Sequence, residues 1–160
     1  GPQVIVGASM GGWVMLLLAL QSSERVAGLV GVAASPDLVV RWRDSLDSAQ
    51  REELNTKGFY RRASLYSEDP YIVTKRLIDD GQQHLILGRP LSVDCPVRLL
   101  HGMQDPDVPW PVSLQLADCI AHDDVEVHLI KSGDHRLSRP EDLARLIATV
   151  DALCAGTSLE

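Results

Sequence analysis

Ser9, His135 and an aspartate lying between them are the residues of this 160-residue chain whose types and order suit nucleophilic catalysis. Ser9 stands in Gly7-Ala8-Ser9-Met10-Gly11, after the apolar run Val4-Ile5-Val6 and before Gly12-Trp13-Val14-Met15-Leu16-Leu17-Leu18-Ala19-Leu20. A strand, then Gly-x-Ser-x-Gly, then a helix is the pattern of a nucleophile elbow. Its tight turn strains the serine backbone and thrusts the hydroxyl into a cleft. Gly7 and Gly11 are expected there because side chains would collide with the neighbouring strand or helix backbone. A serine hydroxyl is a weak attacker near neutral pH and needs an adjacent base. His135, in Ser132-Gly133-Asp134-His135, is the candidate base. Asp105, Asp107 and Asp134 are the candidate acids. Asp134 is the neighbour of His135 in sequence and is awkwardly placed to reach its ring, so a turn-forming role suits it better. The backbone amide of Met10, the residue after the nucleophile, is expected to point into the site as one donor of an oxyanion hole.

These residues need a frame that brings distant loops together, and the hydropathy pattern supplies one. Val4–Val6 reads as a strand, Gly11–Gln21 as a helix, and Val26–Ala33 as a strand buried on both faces, since its apolar run is nearly continuous. Val97–Leu100 and Val125–Ile130 read as two further strands, Ser113–Ala121 and Pro140–Leu153 as helices. Strand and helix alternate, which predicts an α/β fold on a parallel sheet. Ser9, Asp105 and His135 then all fall on loops at carboxyl ends of strands, where such sheets hold ligands. Residues 38–91 differ in texture, with Trp42, Phe59, Tyr60, Tyr66 and Tyr71 set among dense charge. Helix-like spacing over Leu46–Leu54 and Ile72–Leu87, broken near Gly58 and Asp69-Pro70, predicts a helical cap inserted in a 1–160 domain. The segment reads as too short for a core of its own. Trp42 and Tyr66 are its candidates for substrate contact; Trp13 and Trp110 are read as filler between helix and sheet.

Composition narrows the classes. The chain is 45% hydrophobic and 23% charged, as expected of one globular domain or part of one. A net charge of −7 without a basic run argues against nucleic acid as a partner. The longest apolar stretch, Trp13 to Leu20, is far short of the roughly 20 residues that span a bilayer. Cys95, Cys119 and Cys154 form neither a disulfide framework nor a Cys-x-x-Cys pair, which suits a reducing, cytoplasm-like compartment. His84, His101, His122 and His128 lack metal-ligand spacing, and no Gly-x-Gly dinucleotide signature occurs, so neither metal nor cofactor is expected. The chain opens abruptly on Gly1-Pro2-Gln3. Leu159-Glu160 after a small polar run reads equally as a natural tail or an appended remnant.

Gly7-Ala8-Ser9-Met10-Gly11-Gly12-Trp13, His101-Gly102-Met103-Gln104-Asp105-Pro106-Asp107-Val108-Pro109-Trp110 and Gly133-Asp134-His135 together resemble the α/β-hydrolase superfamily. Cys95-Pro96-Val97-Arg98-Leu99-Leu100-His101-Gly102-Met103 and Val108-Pro109-Trp110 are most similar to its subgroup of mitochondrial palmitoyl-protein thioesterases that also cleave acyl glucuronides, with their bacterial relatives. The resemblance implies an eight-stranded, mostly parallel sheet, of which this chain matches the second half from the nucleophile strand onward. The family pattern Gly-x-x-Asp-x-x-Val falls on Gly102, Asp105 and Val108 and so implies Asp105 as the acid. It implies a serine hydrolase cleaving carboxylic esters or thioesters through an acyl-enzyme, with a small-molecule ester or acyl thioester as substrate. The mitochondrial matrix becomes the alternative location. The family's loop after its third strand supplies a second oxyanion-hole amide, and no such loop precedes Ser9. Hence the alternative function is a non-catalytic fragment or binding module with an incomplete oxyanion hole. The nucleophile strand lies centrally in the family sheet. Its open edge here is expected to need an N-terminal half, as a missing segment or second chain, or self-association.

Overall fold

The computed structural model describes residues 1–156; Leu159-Glu160 lie outside the described residues. In chain order the elements are β1 (Gln3–Ala8), α1 (Met10–Gln21), β2 (Val26–Val32), α2 (Leu38–Asp44), α3 (Ser48–Lys57), β3 (Phe59–Arg62), β4 (Tyr71–Thr74), α4 (Lys75–Gly81), β5 (Val97–Gly102), α5 (Pro111–Cys119), β6 (Val125–Ile130) and α6 (Pro140–Gly156). They divide into two units. The first joins Gly1–Pro36 with Ile86–Glu160, and the second is Asp37–Leu85.

The first unit is a four-stranded sheet of order β1-β2-β5-β6 in which every pair is parallel. Alternate side chains of a strand point to opposite faces. On one face, Val30 and Val32 of β2 and Leu100 of β5 join Leu137 and Leu153 in a buried cluster, with Leu146 and Val150 of α6 packed on it. The intervening residues Leu29, Gly31 and Leu99 are buried too, Gly31 in reach of Met15 of α1. A strand buried on both faces has no place for a polar residue, which is why β2 reads as continuous apolar sequence. Each such Leu or Val contributes about 1.5–3 kcal/mol on leaving water. The α/β fold and its parallel sheet match the expectation. The ends shift: α1 starts at Met10, β5 runs on to Gly102, α5 starts at Pro111 and α6 extends to Gly156.

The second unit departs from the all-helical expectation for residues 38–91. Between α3 and α4 stands an antiparallel hairpin pairing Phe59 with Thr74 and Arg62 with Tyr71. Aromatic and β-branched residues in Phe59-Tyr60 and Tyr71-Ile72-Val73 favour the pleated backbone over helix. The helical spacing over Ile72–Leu87 in fact spans a strand end and a short helix. α3 itself is well specified: Asp47 accepts from the Gln50 amide, Gln50 returns a bond to the Asp47 amide, and Gly58 closes the helix at φ 76°. Leu46, Leu54, Tyr60, Val73 and Ile78 form a small core, so the segment does carry a cluster of its own. Residues 86–91 belong to the first unit.

The glycines around Ser9 correct the sequence reading. A Cβ on Gly7 would fall 2.6 Å from the Gly11 carbonyl oxygen, as expected, but one on Gly11 would meet nothing within 4 Å. The crowded glycine is Gly12, whose Cβ would lie 2.5 Å from Ala34 Cβ and 2.8 Å from Ala34 Cα. α1 therefore rides directly over the turn that follows β2. Gly12→Ala is expected to cost about 1–3 kcal/mol, since backbone must move. Gly11→Ala is expected to stabilise by up to about 1 kcal/mol through helix propensity. Urea denaturation of the two variants checks the pair, and equal effects would contradict the packing described.

Candidate active site

Three loops of the first unit converge. Ser9 follows β1, Asp105 follows β5 and His135 follows β6, all at carboxyl ends of strands. Ser9 sits at φ 51°, ψ −121°, a backbone conformation that side chains other than glycine rarely adopt. Holding such a residue costs of order 1–3 kcal/mol and requires surroundings that over-determine it. Here they do. The Ser9 amide donates to the Val32 carbonyl at 3.0 Å, and the Ser9 carbonyl accepts from the amides of Gly12 and Ser35, each at 3.0 Å. The turn is thereby pinned both to its own helix and to the end of β2.

The other two loops are laced together. The Met103 amide donates to the Ile130 carbonyl at 2.8 Å and the Gln104 amide to the Gly133 carbonyl at 2.9 Å. A Cβ on Gly102 would overlap the carbonyl oxygens of Gly133 and Asp134, so only glycine lets the loop after β6 pass this close. The passage carries His135 onto Asp105: its Nδ1 lies 2.7 Å from Asp105 Oδ2, and its Nε2 lies 3.1 Å from Ser9 Oγ. The Asp105 carboxylate can only accept, so Nδ1 carries the hydrogen and Nε2 presents its lone pair to the serine hydroxyl.

Asp105 is the electrostatic centre. Its side chain is wholly buried, and its Oδ1 accepts from the amides of Asp107 at 2.8 Å and Val108 at 2.9 Å. Burial by itself raises a carboxyl pKa, but hydrogen bonds from His101, His135 and these amides outweigh it and hold Asp105 well below the usual carboxylate range. The bond to Asp105 raises His135 above its ordinary value against the opposing effect of burial, with the charges of Asp105, Asp107 and Asp134 adding to the rise.

Of the residues singled out in the sequence, the structure thus brings together Ser9, Asp105 and His135. Met10 opens α1, and its amide has no carbonyl four residues back within the helix to bond. Asp107 lends its amide to Asp105, and Asp134 Oδ1 accepts from the amides of Arg136 and Leu137, a turn-forming role. Trp13 is buried, and Trp110 is half-buried at the start of α5. Trp42 and Tyr66 belong to the second unit. There Trp42 packs on the small core with the Arg62 guanidinium 5.6 Å above its ring, while Tyr66 is exposed. Among the described residues no group of three or more His, Cys, Asp or Glu is placed to hold a metal ion, and no helix is long and apolar enough to cross a membrane.

One residue of the site is missed by sequence reasoning. His101, treated there as an isolated histidine, is wholly buried with Nε2 3.2 Å from Asp105 Oδ2. The available signal is its spacing, near the end of β5 and four residues before the acid of the loop that follows.

The model of the alpha/beta hydrolase family matches residues 1–146. The chain belongs to the alpha/beta hydrolase family. Within the family it is 42% identical over 154 residues to the mouse and human proteins named palmitoyl-protein thioesterase ABHD10, mitochondrial, a match covering 96% of this chain. The match covers 52% of the mouse protein and 50% of the human one, so the chain spans about half the length of the curated relatives it matches. The solved mouse alpha/beta hydrolase domain-containing protein 10 superposes with a TM-score of 0.87 at 42% identity, covering 99% of this chain and 64% of that one. A crystal structure from Agrobacterium vitis S4 superposes with a TM-score of 0.90 at 37% identity, covering 94% of this chain and 60% of that one. The mostly parallel sheet and the family kinship that the motifs implied agree with these findings.

Proposed function

We propose that the chain carries the chemistry of a serine hydrolase acting on carboxylic esters or thioesters, with Ser9 as nucleophile, His135 as general base and Asp105 as the acid that orients it. The observation that carries the reading is the chain of contacts Ser9 Oγ to His135 Nε2 at 3.1 Å and His135 Nδ1 to Asp105 Oδ2 at 2.7 Å, built on a strained serine. Ser9 Oγ attacks the acyl carbon while its proton passes to His135 Nε2, and the Met10 amide donates to the oxyanion. The C–O or C–S bond then breaks, and the leaving alcohol or thiol takes the proton from His135. Water, deprotonated by His135, attacks the acyl carbon; the bond to Ser9 Oγ breaks, His135 returns the proton to Oγ, and the carboxylic acid leaves. The names of the mouse and human relatives favour an acyl thioester as substrate and the mitochondrial alternative for location.

Hydrolysis of p-nitrophenyl esters and acyl thioesters of graded chain length tests the reading. Trp42 and Tyr66 are assigned to acyl contact on sequence grounds, and their change to Ala is expected to alter chain-length preference more than acetyl-ester turnover. Absence of hydrolysis across the whole series by a folded chain would contradict the function.

The pH profile follows from the site. His135 must be neutral to accept the Ser9 proton, and its raised pKa moves the acidic limb of kcat/KM above the ordinary imidazole value of about 6.5. Activity is lost as pH falls through that limb. A stopped-assay profile from pH 5 to 9 checks it, and a limb at or below about 6.5 contradicts the histidine's environment.

Among the described residues β1 sits at a sheet edge, paired with β2 alone. Charged side chains blunt edge strands, and β6 at the other edge carries Glu126 and His128, whereas β1 carries none and leaves Val6 exposed. Val14 and Leu18 of α1 and Leu143 and Ile147 of α6 are exposed as well. We propose that this edge pairs with a strand from a further segment of the fold, a second chain or a second copy. Light scattering after size exclusion is expected to show association, and a freely soluble monomer would contradict it.

A further inference from the structure

We propose that His101 is a positioning residue of the site, donating from Nε2 to the Asp105 carboxylate and so setting both the aim and the basicity of the Asp105–His135 pair. The inference rests on the triad reading above but concerns a side chain outside it.

His101 is the penultimate residue of β5 and is 0% exposed. Its ring is fixed at both nitrogens. Nδ1 lies 2.7 Å from Ser113 Oγ on α5, itself buried, and Nε2 lies 3.2 Å from Asp105 Oδ2 and 3.0 Å from the Val108 carbonyl oxygen. Both partners of Nε2 are pure acceptors, whereas a hydroxyl can donate or accept. Nε2 therefore carries a hydrogen whether the ring is neutral or protonated. That hydrogen is shared between the Val108 carbonyl and the same Oδ2 that accepts from His135 Nδ1 at 2.7 Å. An apolar side chain in this place would leave Oδ2 with one donor fewer.

Two consequences follow for the reaction. The ring of His101, anchored through Ser113 to α5, stops Asp105 from rotating about its side chain, so His135 keeps its line to Ser9. The hydrogen bond also draws charge from Oδ2, which moderates how strongly Asp105 stabilises the imidazolium of His135. Without that bond, His135 becomes harder to deprotonate. The charges of Asp105, Asp107 and Asp134 all favour the protonated form of His135, so they act in the same direction as the change. Those that face His101 are Ser113, Asp105 and the Val108 carbonyl.

The test combines variants with a measurement on the unaltered chain. His101→Phe fills the space without a donor and is expected to lower kcat by about 10- to 100-fold with little change in KM. It is also expected to move the acidic limb of kcat/KM upward by about half a pH unit or more. His101→Gln, which can donate to Asp105, is expected to recover much of both effects, and Ser113→Ala to show the same direction more weakly. A folded His101→Phe chain whose limb stays in place overturns the proposal, since a merely structural loss lowers activity without moving the limb. If that variant does not fold, long-range 1H–15N correlation of the histidines in the unaltered chain decides. A hydrogen on His101 Nε2 supports the proposal, and a hydrogen on Nδ1 alone overturns it. Failure of the triad itself is separable: activity surviving in Ser9→Ala would refute that reading and leave the His101 tautomer where it was found.

Discussion

Ser9→Ala is expected to lower kcat by about 10^4- to 10^6-fold while the chain stays folded. The size follows from what the hydroxyl does. In the proposed mechanism it supplies the attacking atom, held 3.1 Å from the base at the head of α1. His135 and Asp105 remain in place in the variant, but general-base catalysis of direct water attack recovers only a small part of the rate. The strained turn persists too, because it is pinned by the amides and carbonyls of residues 9, 12, 32 and 35 rather than by the hydroxyl. Thermal melting should therefore be unchanged, and the kinetic loss is then a loss of chemistry. Rates within ten-fold of the unaltered chain would remove Ser9 from the mechanism.

Asp105→Asn is expected to cost about 10^4-fold in kcat, by a different route. Four N–H groups converge on the carboxylate: His135 Nδ1, His101 Nε2 and the amides of Asp107 and Val108. An amide side chain offers one oxygen. If that oxygen keeps the two backbone amides, its NH2 group faces both imidazoles. His135 then accepts at Nδ1 and places its hydrogen on Nε2, where it can no longer take the Ser9 proton. Two donors aimed at each other across His101 also weaken the fold, so the melting temperature should drop as well. The measurement is kcat at pH 7 beside a thermal melt. A loss in kcat no larger than the loss in folded fraction would contradict the orienting role.

Local pattern alone made much of this legible. β2 announces itself because burial on both faces forces an unbroken apolar run, and α1 because a helix starting at an elbow must pack its whole length on the sheet. The order of Ser9, Asp105 and His135 at strand ends follows from the alternation of elements, before any contact is known. What escaped depends on contacts across the chain. Nothing local tells that Gly12 rather than Gly11 is the crowded glycine, because the crowding atoms belong to Ala34. The hairpin of β3 and β4 is hidden because its pairing of Tyr60 with Val73 and Arg61 with Ile72 is a contact between segments that local spacing does not show. His101 carries no local sign of its role because its partners are a serine on α5 and the acid of the loop after its own strand.

The most direct test of the central claim is the covalent state of Ser9. The chain is mixed with a fluorophosphonate probe, and in parallel with an activated acyl ester quenched in acid at early times; intact mass and peptide mapping are then read. One adduct per chain on Ser9, absent from Ser9→Ala and strongly slowed in a His135→Ala variant, is the predicted result. A folded chain that stays unlabelled, or that turns over ester while the adduct maps elsewhere, would contradict the account and favour a binding module that keeps the elbow without its chemistry.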